Sequence, residues 1–285
     1  MIDSRVRLLA LIGHPVSHSL SPFFQNAALQ FLGLPFVYLA FDILPKDLFK
    51  AVEAMKTLNV RGFNVTIPHK ERICSLLDHL EEEARIVQAV NTVVNEEGRL
   101  LGYNTDIYGF ERSMEEERAS VKGKNVLLLG AGGVSRAIMF VLRKKEIASL
   151  VIANRTPQRA QELLLFAQGL FSFPVKVVSW ESAMKGEGEH LERVDVIINA
   201  TSLGIKGENI PLNWHKFSSC SLAIDVVYRK ESETALVIEA RSRGIHGFSG
   251  KSMLLYQGVR SFELFTNHAA PVKVMKKVLE EGQKN

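Results

Sequence analysis

The stretch Asn125-Val-Leu-Leu-Leu129-Gly130-Ala131-Gly132-Gly133-Val134-Ser135-Arg136-Ala137 decides the fold. An apolar run is followed at once by a glycine-rich turn, and the turn by an apolar segment with helical spacing, Val134 to Arg143. Gly130 permits a tight turn, and Gly132 lets the backbone approach a pyrophosphate, with Ala131 and Gly133 completing the loop. The unpaired N–H groups of the helix start then stabilise negative charge. Ser135 stands where a third glycine is usual and is small enough for close packing. Strand, glycine turn and helix in this order are the context that a dinucleotide site requires.

Downstream, a second strand, Leu150 to Ala153, ends in Asn154-Arg155-Thr156, and Arg159 follows one helical turn on. An acid about 20 residues past the glycines would bind ribose hydroxyls. Here two guanidinium groups and a hydroxyl stand in its place, a set that suits a 2′-phosphate. Cations at a helix start are unfavourable without an anion nearby, so NADP is the expected cofactor. Strands at Val194–Asn199 and Leu222–Val227 and a helix at Pro157–Ala167 continue the alternation, which implies a parallel sheet with helices on its faces.

Upstream the chain is also α/β. Arg7 to Ile12 reads as a strand. Ser21 to Gly33 reads as a helix with Ser21 as N-cap, Pro22 in the first position and glycine at the end. Phe36 to Ile43 reads as a buried strand, and Pro45 to Leu58 as a helix with Leu48, Val52 and Met55 on one face. Gly62 to Thr66 is a strand followed by a helix opening at Pro68. Asn91 to Asn104 reads as a hairpin turning at Glu96–Arg99. Asp106 to Arg118 is polar, which marks it as a connector rather than a core helix. The tail, Ser252 to Glu281, is helical with a break at Pro271 and must pack on something; the first domain is the candidate.

With 285 residues the chain exceeds what one core usually serves, so two domains are expected. It is 46% hydrophobic and 23% charged, an ordinary globular composition. The formal charge of +4 is scattered among acids, which favours small anionic ligands over nucleic acid. Neither Cys74 nor Cys220 belongs to a CxxC or Cys/His cluster. The apolar run Leu8–Ile12 is too short for a signal-peptide core, and no stretch reaches the length of a membrane span. A cytoplasmic protein is expected.

Polar residues concentrate at element ends of the first half. Ser19 and Ser21 flank the start of a helix, where hydroxyls and free N–H groups suit a carboxylate. Asn64 and Thr66 share a strand face, and Lys70 follows. Asn91-Thr92 and Asn104-Thr105-Asp106 bound the hairpin; Asp106 alone reads as an N-cap. Amides, hydroxyls, one cation and one carboxylate match a small polyhydroxylated acid. His14 and His18 are interrupted by Pro15, no HExxH exists, and no metal site is assigned. Alone, Lys70 reads as a solvated surface charge; its place at the end of a strand, where open α/β sheets bind ligands, is what singles it out.

These segments together resemble the shikimate dehydrogenase family over nearly the whole chain. Its SxSP motif is matched by Ser19–Pro22, NVTxPxK by Asn64–Lys70, NTD by Asn104–Asp106, GAGGxxRA by Gly130–Ala137 and NRT by Asn154–Thr156. NATSxG is Asn199–Gly204, DxxY is Asp225–Tyr228, and GxxMLxxQ is Gly250–Gln257. The resemblance implies an N-terminal α/β substrate domain completed by C-terminal helices, 1–106 and 250–285, with a connector and a Rossmann-type doubly wound NADP domain over 107–249. It implies reversible reduction of 3-dehydroshikimate to shikimate, a step of chorismate and aromatic amino-acid biosynthesis. Lys70 and Asp106 would be the catalytic pair, with Ser19, Ser21, Asn64, Thr66, Asn91, Tyr228 and Gln257 around the substrate. Cofactor contacts would come from Gly130–Gly133, Asn154, Arg155, Thr156, Arg159, Thr201, Val226 and Gly250. A monomer or homodimer is expected. Two departures stand out: Gln25 replaces a usual histidine, and Lys251 replaces a usual apolar residue. The competing readings are a quinate/shikimate dehydrogenase that also uses NAD, and a non-catalytic dinucleotide-sensing protein.

Overall fold

The computed structural model describes residues 4–230 and 232–281. The first half comprises β1 (Arg7–Gly13), α1 (Ser21–Phe31), β2 (Phe36–Asp42), α2 (Leu48–Thr57), β3 (Gly62–Val65), β4 (His79–Leu80), α3 (Glu82–Val87), β5 (Thr92–Glu96), β6 (Arg99–Tyr103) and α4 (Thr105–Glu116). The second half comprises β7 (Asn125–Leu129), α5 (Gly133–Lys144), β8 (Ser149–Ala153), α6 (Pro157–Gln168), β9 (Val175–Val178), α7 (Trp180–Lys185), β10 (Val196–Asn199), β11 (Leu222–Asp225), α8 (Ala235–Ser242) and β12 (His246–Ser249). Helices α9 (Lys251–Thr266) and α10 (Val272–Glu281) close the chain. Two compact units result: one runs to Gly109 and resumes at Leu254, the other is Phe110–Met253.

The first unit holds a mixed sheet in the order β2-β1-β3-β5-β6-β4. Strands β2, β1 and β3 are parallel, while β5 lies antiparallel to both β3 and β6. The β5–β6 hairpin turns on Glu97 and Gly98, both with positive φ, the geometry that matches strand twist. Helix α2 buries Leu48, Val52 and Met55 as its spacing requires, although Pro45–Asp47 forms a separate 3-10 turn before it. The tail packs on this unit: α10 lies on α1, Gln25 Nε2 donates to Gly258 O at 2.9 Å, and Arg61 Nε donates to Phe265 O at 2.9 Å.

Several local expectations fail here. Ser21 is already helical; Leu20 holds the cap position, and the Ser21 N–H is met by Ser19 Oγ at 3.3 Å. β2 is an edge strand with most of its residues exposed or half-buried, because β1 covers only one of its sides. No α-helix opens at Pro68: residues 66–71 form a turn, and a 3-10 helix at Arg72–Leu76 follows. Asp106 is not an N-cap, since Asn104 Oδ1 takes the cap bond from Ile107 N at 3.4 Å. Helix α4 also has a core face after all, with Ile107, Phe110 and Met114 buried at the i, i+3, i+7 spacing that its polar composition obscured.

The second unit is a fully parallel sheet, β12-β11-β10-β7-β8-β9. Chain order runs outward from β7 in one direction and from β10 in the other, the doubly wound arrangement that opens a crevice at the strand ends. Leu127 and Leu129 of β7 and Ile197 of β10 pack with Ala183, Leu191 and Trp214 in a buried cluster. Among the described residues no helix is long and apolar enough to cross a membrane.

Candidate active site

In the first unit, three parallel strands end together at Asp42, Gly13 and Val65. The loops that leave them are sewn tightly: His14 N donates to Ile67 O at 2.8 Å and Ile43 N donates to Gly13 O at 2.8 Å. His69, fully buried, donates Nε2–H to Ile43 O at 2.7 Å, so it packs rather than binds a ligand. A Cβ on Gly13 would lie 2.2 Å from Thr66 Cγ2, and only glycine lets the Ser19 loop and the Thr66 turn approach so closely. Thr66 lies one residue past β3, half-buried.

Lys70 reaches back from its turn to the first turn of α4, where its Nζ donates to Asp106 Oδ2 at 2.7 Å. Their side chains are 15% and 6% exposed. The other carboxylate oxygen, Oδ1, accepts from Asn91 Nδ2 at 2.9 Å. Asn91 is held in turn: its Oδ1 accepts from Thr105 N at 2.7 Å, and its Nδ2 lies 3.4 Å from Gln257 Oε1. Lys70, Asp106, Asn91 and Gln257 therefore form one hydrogen-bonded cluster. Ser21 starts α1, which meets α9 through Gln25 and Gly258, the residue next to Gln257. Tyr228 lies beyond β11 in the second unit.

Asn64 needs a correction. It is buried, and its amide is spent inside the protein on Tyr38, Asn91, Thr92 and Ser261, so it supports the cluster instead of facing a ligand. Thr92, Thr105 and Ser261 form a hydroxyl knot beside it. Thr105 stands inside the NTD triplet, but nothing in the sequence distinguishes Ser261 from any serine on a helix.

In the second unit, Gly130, Asn154, Ala200, Val226 and Gly250 each directly follow the last residue of a strand, β7, β8, β10, β11 and β12. The register aligns those ends side by side. Gly130 has φ +108, and a Cβ there would lie 2.7 Å from the Ala200 backbone. A Cβ on Gly250 would lie 2.1 Å from Val226 O. At Gly132 a Cβ would meet nothing within 4 Å, so open space lies over the start of α5. Ser135 does more than stay small: its hydroxyl donates to Gly130 O at 3.0 Å and accepts from Gly132 N at 3.3 Å, fastening the loop.

Arg155, Thr156 and Arg159 are exposed at the start of α6, and among the described residues neither guanidinium has a carboxylate partner. Asn154 Nδ2 donates to Thr156 O at 2.9 Å and shapes the turn that carries them. The Thr201 hydroxyl donates to Asn199 Oδ1 at 2.7 Å and accepts from Leu203 N, so it braces its loop. Glycine loop, open space, aligned strand ends and unpaired arginines fit a phosphorylated dinucleotide. Asp225, buried beside Asn199, has its carboxyl pushed up to about 6 by burial, which the Val227 N–H and Asn199 amide only partly offset.

A separate cavity of about 350 Å³ lies where α4 and α5 end, lined by Met114, Val121, Lys122, Lys144 and Lys145. Its lysines are paired with Glu111 and Glu146, so it offers no anion site. Among the described residues no His, Cys, Asp and Glu group could hold a metal.

Comparison with known proteins agrees with this geometry. The family described as shikimate dehydrogenase substrate binding domain matches residues 11–93, shikimate / quinate 5-dehydrogenase matches 112–205, and the shikimate 5'-dehydrogenase C-terminal domain matches 250–280. A shikimate dehydrogenase (NADP(+)) of Moorella thermoacetica is 46% identical over 99% of this chain and 95% of its own. A crystal structure of a shikimate dehydrogenase in complex with NADP+ superposes with a TM-score of 0.88 at 38% identity, covering 100% of this chain and 98% of that one. The shikimate 5-dehydrogenase of Thermus thermophilus in complex with NADP(H) and shikimate gives 0.82 at 34% identity, covering 97% and 99%. With family matches along most of the chain and relatives this similar over nearly full length, the chain belongs to the shikimate dehydrogenase family.

Proposed function

We propose that this chain is an NADP-dependent shikimate dehydrogenase, catalysing the reversible reduction of 3-dehydroshikimate to shikimate in aromatic amino-acid biosynthesis. The observation that carries the reading is the buried Lys70–Asp106 pair in a cluster of amides, within a chain that also builds a dinucleotide cradle. NADPH, when bound, supplies the hydride. The unit formed by the N-terminal half and the C-terminal helices binds substrate, and the unit with the parallel sheet binds cofactor.

Lys70 holds a proton at Nζ for the substrate oxygen on which negative charge develops, and its charge stabilises that oxygen. Asp106 keeps the ammonium in place and accepts from the neighbouring substrate hydroxyl. Asn91 fixes the carboxylate through Oδ1, which leaves Oδ2 for Lys70. Ser19 and Ser21 take the substrate carboxylate, Thr66 and Gln257 its hydroxyls, and Tyr228 adds a phenol to the substrate contacts. Gly130–Gly133 receive the pyrophosphate at the start of α5. Arg155, Arg159 and Thr156 take the 2′-phosphate, with Asn154 and Thr201 shaping their loops and Val226 and Gly250 lying along the strand ends. The protein acts in the cytoplasm as a monomer or homodimer.

Purified protein assayed for absorbance at the nicotinamide band, with NADPH and NADH against shikimate and quinate, tests this. Turnover of shikimate with NADP and little with NAD or quinate is expected. Equal use of NAD and quinate would identify the broader quinate/shikimate enzyme, and no turnover with any pair would leave only a binding protein.

A further inference from the structure

One buried tyrosine beneath the site has a hydroxyl that packing alone does not explain. Tyr38 in β2 is fully buried, and its hydroxyl donates to Asn64 Oδ1 at 2.8 Å. A core position that needs only shape takes phenylalanine, because a buried hydroxyl costs free energy unless it is bonded. The residue is also pinned. Asn26 Nδ2 donates to Tyr38 O at 2.8 Å, and Tyr38 N donates to Asn26 Oδ1 at 2.9 Å, so the ring cannot drift from its acceptor.

From Asn64 the bonds lead to the catalytic pair. Asn64 Nδ2 lies 3.0 Å from Asn91 O, 3.0 Å from Thr92 Oγ1 and 2.9 Å from Ser261 Oγ. The Asn91 carbonyl can only accept, so the amino end of Asn64 faces it and the oxygen faces Tyr38. Ser261 gives its proton to Gln257 O at 2.8 Å, and therefore receives bonds from the rest of the knot. Thr92 Oγ1 lies 2.8 Å from Ser261 Oγ, and Thr105 Oγ1 lies 3.1 Å from both. These two threonines also flank Asn91 Oδ1, each hydroxyl at 3.2 Å. With its oxygen held there, the Asn91 amide must present N–H to Asp106 Oδ1.

We propose that Tyr38 is a positioning residue for the Lys70–Asp106 pair, acting through Asn64 and the Thr92–Thr105–Ser261 knot to hold the Asn91 amide with its N–H on Asp106. The inference rests on the catalytic reading of that pair. Removing the Tyr38 hydroxyl strands Asn64 Oδ1 in the core. The amide regains a partner only by turning onto the Thr92 and Ser261 protons, and that withdraws them from Asn91 Oδ1 and Gln257 O. Substrate still binds, but the carboxylate is no longer held for Lys70.

Steady-state and single-turnover kinetics of Tyr38→Phe test this. The expected result is a fall of about tenfold in kcat with the KM for shikimate kept within about twofold, and no further loss when the change is added to Asn91→Ala. A Tyr38→Phe kcat within about twofold of wild type, a loss carried by KM, or full additivity with Asn91→Ala would each overturn it. If Tyr38→Phe does not fold, Ser261→Ala decides instead: reduced kcat at unchanged KM supports the inference, and wild-type kcat overturns it. Lys70→Ala measured alongside separates the two levels, because an active Lys70→Ala defeats the catalytic reading itself, whereas an inactive one beside a wild-type Tyr38→Phe defeats only the role of Tyr38.

Discussion

Lys70 Nζ meets Asp106 Oδ2 at 2.7 Å across 36 positions of sequence, and the pair is almost buried. The two come from different kinds of element: Lys70 leaves a turn past β3, and Asp106 rides on the first turn of α4 behind its cap, Asn104. A buried ion pair is a poor way to stabilise a fold, since desolvating two charges offsets their attraction. With Asp106's other oxygen taken by Asn91, the arrangement fits the role proposed for it, a held cation facing a developing negative charge.

Lys70→Ala should lower kcat by about two to four orders of magnitude, the range for removing a proton donor that also stabilises charge. The KM for shikimate should stay within a few-fold, because the proposed function assigns binding to the serines, amides and Thr66. Initial rates on protein shown to be folded by its thermal transition decide this. Wild-type turnover would end the assignment.

The second unit was the more legible half. A glycine turn alone is a weak signal, since geometry by itself also places such turns between strand and helix. Asn125–Leu129 before it, the apolar helix after it and a second strand at the right distance narrow the reading, and β7, α5 and β8 stand where that reading puts them. Val175–Val178 and His246–Ser249 escaped it: one is a short edge strand with a lysine in it, and the other contains a glycine and opens on a histidine. In the first unit, polar residues misled. Ser21 carries a capping sequence but Ser19 meets its N–H, because the helix begins one residue earlier than composition implies. Asn64 lay in a motif, and motif membership does not tell a side chain that faces ligand from one that holds its neighbours. Only the bonds to Tyr38 and Ser261 distinguish the two, and those partners are 26 and 197 positions away.

Asp225 makes a pH-dependent demand on stability. Its carboxyl is raised from 3.8 to about 6 in the fold, so the native state binds this proton more tightly than the unfolded chain. The contribution is favourable below the unfolded value, is lost as pH climbs from about 4 to about 6, and stays lost above, a change of up to about 3 kcal/mol. Asp225→Asn keeps an oxygen for Val227 N–H and has no proton to lose. Urea unfolding at pH 5 and pH 7.5 should therefore show the variant gaining on wild type as pH rises. A constant difference between the two proteins would contradict this.

Arg155 and Arg159 have no carboxylate partner among the described residues and sit at a helix start that disfavours cations. Arg155→Ala should raise the KM for NADPH by about tenfold, in line with the loss of one charge-assisted hydrogen bond at an exposed site, and leave the KM for NADH unchanged. Arg159→Ala should act in the same direction. Parallel titrations with both cofactors read this directly, and equal losses with NADPH and NADH would mean that the arginines do not meet the 2′-phosphate.

Gly130 and Gly132 occupy one loop but should fail differently. At Gly130 the backbone is left-handed and the Cβ would press on Ala200, so Gly130→Ala should destabilise the unit and lower the thermal transition. At Gly132 φ is −108, a conformation any residue adopts, and the Cβ would enter open space. Gly132→Ala should therefore fold with the wild-type thermal transition. The cost appears only when a pyrophosphate has to approach the α5 N–H groups: the added methyl stands in that path, and NADPH affinity should fall by at least about tenfold. Thermal melts with and without NADPH separate the two outcomes. Wild-type melting with a wild-type shift on adding NADPH would show that the pyrophosphate does not pass over Gly132.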